Sequence, residues 1–306
     1  MIPALDLQQV NKRYGDFHAV RDLGFSVEPG SIFGFLGPNG AGKTSTLRMV
    51  LGLIPPSSGR ITVLGSSNPT AVRDRIGFLP EERGLYRRMT PVQAVTFFAG
   101  LKGVPAAKAR KRGIELLESQ GLGEALDRPM KNLSKGMAQK VQLVCAIAHN
   151  PELVILDEPF SGLDPVNQQG LERLIRELAA DGATVIFSTH VMSHAERLCR
   201  RIVLMAKGRK VFEGTVQEAC ATVAQRLVLE GAVTDAQARA LPGVASVETL
   251  LADNGGPPRL RAELARDAQP QGALRAAFER GLDLTQFRVE TPTLHDAFIL
   301  LTENAA

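Results

Sequence analysis

The stretch GPNGAGKTS, Gly37–Ser45, places three glycines and a proline around a single lysine. The apolar run SIFGFL at 31–36 comes directly before it, and KTSTLRMVLGL at 43–53 continues it. This order predicts a buried strand, a tight loop and then a helix. Glycines at this spacing let successive backbone N–H groups turn inward and close around phosphate groups. The stretch therefore predicts a phosphate-binding loop within an α/β fold.

Two side chains of this loop have specific predicted roles. Lys43 is expected to bridge the β- and γ-phosphates of a nucleotide, and the Thr44 hydroxyl to take one position on Mg²⁺. The helix that follows points the positive end of its dipole at the same phosphates. The loop residues predicted to hold the nucleotide are Gly37, Pro38, Asn39, Gly40, Ala41, Gly42, Lys43, Thr44 and Ser45.

Paired acids follow a second apolar run. The segment LVILDEP, 153–159, reads as a buried strand that ends in Asp157 and Glu158. Asp157 is placed to hold Mg²⁺ through water, and Glu158 to act as general base for an attacking water. The alternative is that two acids simply end a strand, but so apolar a strand followed by paired acids is uncommon without a cation. The pair therefore predicts hydrolysis of the bound nucleotide.

A third motif is LSKGMAQK, Leu133–Lys140. Ser134 is a typical N-cap residue, and an apolar stripe follows it at helical spacing, so a helix is predicted to begin here. The free N–H groups of its first turn would attract an anion. Taken alone, the segment is most simply an ordinary capped helix.

The motif set continues with SGLD, Ser161–Asp164, and STH, Ser188–His190. In this order, the phosphate loop, LSKGM, LVILDEP, SGLD and STH resemble the motifs of ABC-type ATPases, whose signature is usually written LSGGQ. The resemblance covers roughly residues 5–215. The ordered set is far more specific than any one of its members.

The resemblance implies roles for four residues outside the phosphate loop. Ser134 and Gly136 are expected to contact the γ-phosphate of ATP bound to the opposite subunit. His190, at a strand end, is expected to reach the γ-phosphate, although a lone histidine there is more often structural. Tyr14 corresponds to the aromatic residue that stacks on adenine, and a merely core or surface aromatic is the alternative.

Three positions depart from the family pattern. Glu81 stands where the family has a glutamine that binds Mg²⁺ and senses the membrane partner, and a carboxylate can also ligate magnesium. In the signature, Lys135 replaces the first glycine and Met137 the glutamine. We hypothesise that the Lys135 charge offsets that of Glu81. The implied metal-binding residues are therefore Thr44, Glu81 and Asp157.

The predicted fold is a P-loop NTPase of ABC ATPase type over residues 1–215. It has a mainly parallel sheet, an antiparallel β layer near residues 5–65 and a helical subdomain at about 90–150. Thr90, Pro91 and Gln93 predict a capping box at the start of a helix.

From residue 216 to 306, the order of short runs is β-α-β-β-α-β-α. This order resembles a split βαβ unit with an extra terminal helix, so a small α+β accessory domain is predicted. The sequence NGG at 254–256 fits a tight hairpin turn. Dimer contact and regulation are both open roles for this domain.

Composition limits the remaining possibilities. The chain has 306 residues, 44% hydrophobic and 22% charged, with a formal net charge of +4, which is typical of a globular protein. The basic run KARKR, 108–112, is interpreted as the solvated face of a helix rather than a nucleic-acid patch. Three cysteines without a metal-site spacing favour a reducing compartment. No signal peptide is predicted, and no apolar run approaches the ~18 residues of a membrane span.

These observations predict an ATP-hydrolysing subunit of an ABC transporter, with an exporter favoured. The expected partners are a second ATPase subunit, identical or homologous, and separate integral membrane permease subunits, with no nucleic acid. The expected location is cytoplasmic, on the inner face of the membrane through the permease. The alternatives are a soluble ABC-type ATPase acting on nucleic acid or ribosomes, and a P-loop kinase. Neither alternative explains the motif set as well. Chromosome-type ABC ATPases insert long coiled coils between the phosphate loop and the signature, and this interval is too short for them. A kinase would not need LSKG, SGLD and STH.

Overall fold

The computed structural model describes residues 2–82, 84, 86–250 and 259–303. Within it the chain divides into two compact units, Met1–Val216 and Gln217–Ala306. The hairpin turn predicted at 254–256 lies outside the described residues, as do residues 83 and 85 in the segment that follows Glu81.

The first unit alternates strands and helices. Its strands are β1 (Leu5–Tyr14), β2 (Phe17–Val27), β3 (Ile32–Leu36), β4 (Ser58–Val63), β5 (Ile76–Leu79), β6 (Leu153–Asp157), β7 (Thr184–Thr189), β8 (Arg201–Ala206) and β9 (Arg209–Thr215). Its helices are α1 (Lys43–Val50), α2 (Pro91–Gly100), α3 (Ala106–Ser119), α4 (Lys135–Ile147), α5 (Pro165–Ala180) and α6 (Met192–Leu198). Short 3-10 helices span Pro69–Arg75, Gly123–Ala125 and Met130–Asn132.

Two sheets form the frame of this unit. The larger has the order β5-β6-β7-β3-β8-β9, in which the first five strands are parallel and β9 is antiparallel to β8. The smaller, with the order β2-β1-β4, is antiparallel throughout. The predicted parallel sheet and antiparallel layer are confirmed, and β9 is an element that the sequence interpretation did not identify.

An apolar core joins the two sheets. Phe25 of the antiparallel sheet stacks on Phe33 of β3, with ring centroids 5.6 Å apart, and Phe35 lies 5.5 Å away. Leu5, Val10 and other side chains of β1 belong to the same buried cluster as Ile155 of β6. Strands β6 and β7 of the larger sheet are buried throughout, as expected for parallel strands covered on both faces.

Helices α2, α3 and α4 share a separate hydrophobic cluster. The capping box at the start of α2 is confirmed: Gln93 N donates to Thr90 Oγ1, and Thr90 N to Gln93 Oε1. Ser134 is likewise the N-cap of α4, and its hydroxyl accepts from Met137 N at 3.2 Å. Lys108, Arg110 and Lys111 lie on the exposed side of α3, which agrees with the solvated-face interpretation of the basic run.

The second unit has one four-stranded sheet. Its elements are α7 (Val216–Cys220), β10 (Arg226–Ala232), α8 (Asp235–Arg239), β11 (Val244–Leu250), β12 (Arg259–Leu264), α9 (Pro270–Glu279), β13 (Asp283–Glu290) and α10 (Leu294–Glu303). The strand order is β11-β12-β10-β13, and every neighbouring pair is antiparallel. From β10 onward the order of elements is the predicted β-α-β-β-α-β-α. A core of small and aliphatic side chains, including Leu229, Ala262 and Ala273, fills it.

Over the described ranges, no helix combines the length and the apolar character needed to cross a bilayer.

Candidate functional site

The site lies where three neighbouring parallel strands end. Leu36 of β3 pairs with Thr189 of β7, and Asp157 of β6 pairs with Ser188 of β7. The residues that follow these strands are therefore brought to the same sheet edge. The phosphate loop, Asp157 with Glu158, and His190 meet there, although Gly37 and Glu158 lie 121 positions apart in the sequence.

The phosphate loop is held in shape by its surroundings. Gly37 has φ 154° and Gly42 φ 99°, values that favour glycine. A Cβ on Gly37 would lie 2.4 Å from the Met205 carbonyl oxygen, and one on Gly42 would lie 2.5 Å from that of Ala19. Both glycines are thus required by backbone conformation and by close packing against neighbouring strands.

Lys43 is the first residue of α1 and is 6% exposed. Its ammonium donates hydrogen bonds to the carbonyl oxygens of Gly37, at 2.7 Å, and Pro38, at 3.2 Å. Burial lowers the Lys43 pKa, while nearby Glu158, Asp157 and Glu81 raise it. The side chain therefore lies within the loop's own concavity, where a phosphate-binding cation is expected.

Glu158 connects the loop to the neighbouring strands. Its Oε1 lies 3.6 Å from Lys43 Nζ and 2.9 Å from His190 Nδ1. Glu158 is 7% exposed, whereas nearly half of the His190 side chain is accessible. A cation, a carboxylate and an imidazole thus converge, and the carboxylate is positioned by both partners.

The backbone at Glu158 is also unusual. Its φ of 47° lies in the left-handed region, which is costly for a residue with a Cβ. The Glu158 N–H points to the Ser188 carbonyl oxygen, at 3.2 Å, and to its hydroxyl, at 3.3 Å. This turn directs the side chain back toward Lys43 rather than along the strand.

Ser188 is a site residue that the sequence interpretation did not assign, although it is part of the STH motif. Its side chain is fully buried, and its hydroxyl donates to Asp157 Oδ1. Asp157 itself is 3% exposed. Because the hydroxyl satisfies one carboxylate oxygen, Ser188 fixes the direction of the other. A serine directly before Thr189 and His190 was the available sequence signal.

Oxygen donors at the site fit a magnesium ion. The Thr44 hydroxyl follows Lys43 on the first turn of α1, and Asp157 is a buried carboxylate at the adjacent strand end. Mg²⁺ prefers such hard oxygen ligands and keeps several positions for water or substrate phosphate. No group of three or more His, Cys, Asp or Glu suited to a metal occurs in the part of the chain that the structure describes.

Glu81 lies in the exposed segment that follows β5. It is close enough to the loop for its charge to raise the Lys43 pKa. The structure therefore places Glu81 on the phosphate side of the molecule.

Tyr14 ends β1, and its side chain is 46% exposed. Its hydroxyl is 3.5 Å from Ser45 Oγ, a long hydrogen bond to the last residue of the phosphate loop. Lys12 Nζ lies 5.0 Å from the centre of the Tyr14 ring and also donates to the Pro55 carbonyl oxygen at 2.8 Å. The Tyr14 ring is thus held beside the loop by a cation over its face.

Ser134 and Gly136 lie at the start of α4, apart from this cluster. Ser134 and Lys135 are exposed, and Gly136 is half-buried, closest to Asn167 and Leu163 of the segment that enters α5. A cavity of about 210 Å³ borders Ser134, and its basic lining residues are Arg87, Lys131 and Lys135. The start of α4 is therefore a positively charged, solvent-facing surface.

Gln139 is a second residue to which the sequence analysis gave no role, and it joins α4 to the segment that follows β6. Gln139 Nε2 donates to the Pro159 carbonyl oxygen at 2.5 Å. Pro159 directly follows Glu158, so the helix that begins with the signature contacts the segment that carries the carboxylate. Sequence spacing gives no signal for such a contact.

Comparison with known protein families gives a match to the ABC transporter model over residues 20–161. Among curated proteins, the uncharacterised ABC transporter ATP-binding protein YhaQ of Bacillus subtilis (strain 168) is 35% identical over 96% of this chain and 97% of its own length. The linearmycin resistance ATP-binding protein LnrL of the same organism is 30% identical over 97% of this chain and 98% of its own. The Nod factor export ATP-binding protein I of Burkholderia pseudomallei (strain 1710b) is 40% identical over 70% of this chain and 71% of its own.

Solved structures show the same fold. CbiO1 of Clostridium perfringens, described as part of the ABC transporter complex cbiONQ, matches with a TM-score of 0.65 and 28% identity, covering 72% of this chain and 92% of its own. The ATP-binding cassette MJ0796, solved as a dimer in a post-hydrolysis state with ADP and Pi, matches with a TM-score of 0.64 and 25% identity, covering 69% of this chain and 98% of its own.

Proposed function

This chain belongs to the ABC transporter family, in which it is an ATP-binding subunit with ATPase activity, and from that premise we propose the following roles for its residues and partners. The observation that carries the proposal is the position of Glu158. Its carboxylate lies between the phosphate-loop cation Lys43 and His190, at 3.6 Å and 2.9 Å. This position supports the role of a base held beside a bound triphosphate.

In this proposal, the phosphate-loop amides and Lys43 bind the triphosphate, and Tyr14 stacks on the adenine. Glu158 accepts a proton from the attacking water, and His190 holds the Glu158 carboxylate and contacts the γ-phosphate. Positioning and charge stabilisation account for most of the catalysis in such phosphoryl transfer. The buried state of Lys43 and Glu158 supports these roles, because charges act more strongly where water is excluded.

Thr44, Asp157 and Glu81 would hold the magnesium ion, Asp157 through water. When held by these residues, the metal ion would supply positive charge that offsets the negative charge of the phosphates. The Ser188 hydroxyl supports the proposed role of Asp157, because it leaves one carboxylate oxygen directed at the site.

The proposed partner in ATP hydrolysis is another ATPase subunit, identical or homologous. We propose that the two subunits face head to tail, so that Ser134 and Gly136 of each contact the ATP held by the other. The exposed, basic start of α4 supports this arrangement, since it presents a helix N-terminus and positive charge to solvent. The dimeric cassette MJ0796 is a precedent for the pairing.

The other proposed partner is an integral membrane permease. Helices α2 and α3 and the segment after β5 would contact it. Tyr86, Phe97 and Leu101 are exposed apolar side chains on this face, and Tyr86 packs edge-on against Phe97 at 5.9 Å. Arg87 and Arg88 are exposed beside them, whereas Arg83 lies outside the described residues. Such docking would place the protein on the cytoplasmic face of the membrane. The presence of cbiO1 in a named transporter complex is a precedent.

Export is the proposed direction of transport. Its support is the similarity over nearly the whole chain to a resistance ATP-binding protein, together with the similarity to an export ATP-binding protein. The second unit would act as an accessory domain in dimer contact or regulation. The transported substrate would be chosen by the permease.

The experiment that tests the proposal is Glu158→Gln. Loss of the general base should lower kcat for ATP hydrolysis by about 10²–10⁴-fold, while ATP binding is retained because Lys43 and the loop are unchanged. Hydrolysis is measured by phosphate release and binding by a fluorescent ATP analogue. Glu177→Gln, which changes an exposed acid on α5, is the matched control and should hydrolyse normally. Normal turnover by Glu158→Gln would refute the assignment.

A further inference from the structure

The segment that carries Glu158 touches the segment that carries His190 at two points. The first is the hydrogen bond between Glu158 Oε1 and His190 Nδ1, at 2.9 Å. The second lies farther along both segments, where the His194 ring stacks on Phe160 with centroids 4.0 Å apart and planes 8° apart. Two contacts of this kind fix both the distance and the direction between the segments.

The second contact is buried and rigid. Phe160 and His194 are each 4% exposed. Phe160 also meets Phe187 of β7 edge-on at 5.9 Å. Interior side chains packed on two sides occupy single rotamers, so the stack has little freedom to slide.

Polar groups of α5 and α6 hold the imidazole in place. Arg197 Nη2 lies 2.9 Å from His194 Nδ1, and Arg197 also bonds to Glu172 Oε1 at 2.7 Å. Glu172 is 7% exposed and 3.6 Å from His194 Nδ1, beyond hydrogen-bond range. Because arginine only donates, Nδ1 must accept, and the proton of the neutral ring is on Nε2. Burial, with the Arg197 charge, lowers the His194 pKa, while Glu172 and Glu158 raise it to a smaller extent.

We infer that His194 is a positioning residue for ATP hydrolysis: its stack on Phe160, held by Arg197 and Glu172, sets the approach of His190 to Glu158. This inference rests on the proposed function of Glu158 and His190. His194 acts through the contact between His190 and Glu158. Loss of the stack lets the two segments shift, and the Glu158 carboxylate loses its fixed direction.

The test replaces the ring in two ways. His194→Ala removes the stack, and His194→Phe keeps an aromatic ring against Phe160 while removing the ring nitrogens. We expect His194→Ala to lower kcat about tenfold, since small displacements of catalytic groups are costly. Its KM for ATP should stay within about twofold of the parent value. The substitution removes no contact that stabilises the ground state and the transition state equally. His194→Phe should retain kcat within about threefold of the parent chain by restoring the stack.

A double-mutant comparison separates positioning from general weakening of the fold. If His194 acts through His190, His190→Ala with His194→Ala should be no slower than His190→Ala alone. Independent effects would multiply, and that result would overturn the inference. So would normal kcat in His194→Ala, or equal losses in the Ala and Phe variants. Ser193→Ala, at an exposed position of the same helix, is the control and should be unaffected.

Folding is checked by circular dichroism, with rates measured well below each thermal midpoint. If His194→Ala does not fold, Phe160→Leu removes the stack from the other side while keeping apolar volume, and the same selective loss of kcat is expected. Glu158→Gln distinguishes the two levels of failure. Full turnover by Glu158→Gln would reject the proposed function, whereas an inactive Glu158→Gln beside a fully active His194→Ala would reject only the positioning role.

Discussion

The candidate site has two halves, one at the strand ends and one at the start of α4. They differ in how far contacts within a single chain complete them. At the strand ends, Lys43, Asp157 and Glu158 are each less than one tenth exposed and contact one another or Ser188. At the start of α4, Ser134 and Lys135 are exposed, and the Ser134 hydroxyl bonds within its own helix. The first half is assembled by the fold, whereas the second presents a surface. This contrast is what a pocket shared between two subunits requires, and three experiments can break or sharpen it.

The largest effect is expected from Lys43→Ala, in the assembled half. The substitution removes a charge that faces two phosphates, and charge-assisted hydrogen bonds contribute about 1.5–3 kcal/mol each. ATP binding should therefore weaken by at least about 100-fold. Equilibrium titration with a fluorescent ATP analogue measures the change. Lys111→Ala removes an equal charge from the exposed side of α3 and should bind ATP normally.

If Lys43→Ala bound ATP as tightly as the parent chain, the strand-end cluster would not be the phosphate site. The contrast between the two halves would then have no functional meaning.

An intermediate effect is expected when the two halves are damaged in different copies. Ser134→Asp retains a good N-cap but adds a negative charge toward the triphosphate, so it should bind ATP and hydrolyse it poorly. A 1:1 mixture with Lys43→Ala forms mixed dimers with one intact composite pocket. The mixture should therefore recover about one quarter of the parent activity, as random pairing in a head-to-tail dimer predicts. Phosphate release from each variant and from the mixture gives the measurement.

Ser134→Asn, which keeps the cap without the charge, is the matched control and should remain active. If the mixture shows only the sum of the two inactive variants, each chain completes its own pocket. A strictly monomeric chain with full activity would have the same meaning.

The smallest effect is expected from Lys12→Ala, at the edge of the assembled half. Lys12 lies over the Tyr14 ring, and an exposed cation–π contact contributes about 0.5–1 kcal/mol. The KM for ATP should rise about threefold with kcat unchanged, because the Tyr14 ring loses its support but the catalytic groups do not. Lys12→Arg preserves a cation that stacks well on aromatic rings. An unchanged KM in Lys12→Ala, or an equal rise in Lys12→Arg, would contradict this role.

Local chemistry made much of the fold predictable. The Thr90–Gln93 capping box and the Ser134 N-cap depend on residues three apart, and both occur at the expected positions. The glycine spacing in Gly37–Ser45 and the paired acids of LVILDEP predicted which strand ends would carry the candidate site. The roles assigned to these residues, including nucleotide and magnesium contacts, stay predictions.

The remaining features depend on contacts between distant parts of the chain. The Phe160–His194 stack joins the loop after β6 to α6, which follows β7, and neither residue stands out in its local segment. Ser188 lies in a recognised motif, but its contact with Asp157 follows from strand register, which spacing does not determine. The edge strand β9 and the short helix α7 were not identified because Gly214 and the turns around it obscured the pattern.

The close packing around Gly37 and Gly42 has a consequence for how quickly ATP can bind. The backbone there is already confined by the carbonyl groups of Met205 and Ala19, so the conformational entropy of the loop is lost when the protein folds and not again when ligand arrives. Association then needs no slow rearrangement of the loop, and the free chain can sample nucleotide at a rate set by diffusion and orientation. A slow step in the catalytic cycle would then be the association of subunits rather than the binding of nucleotide.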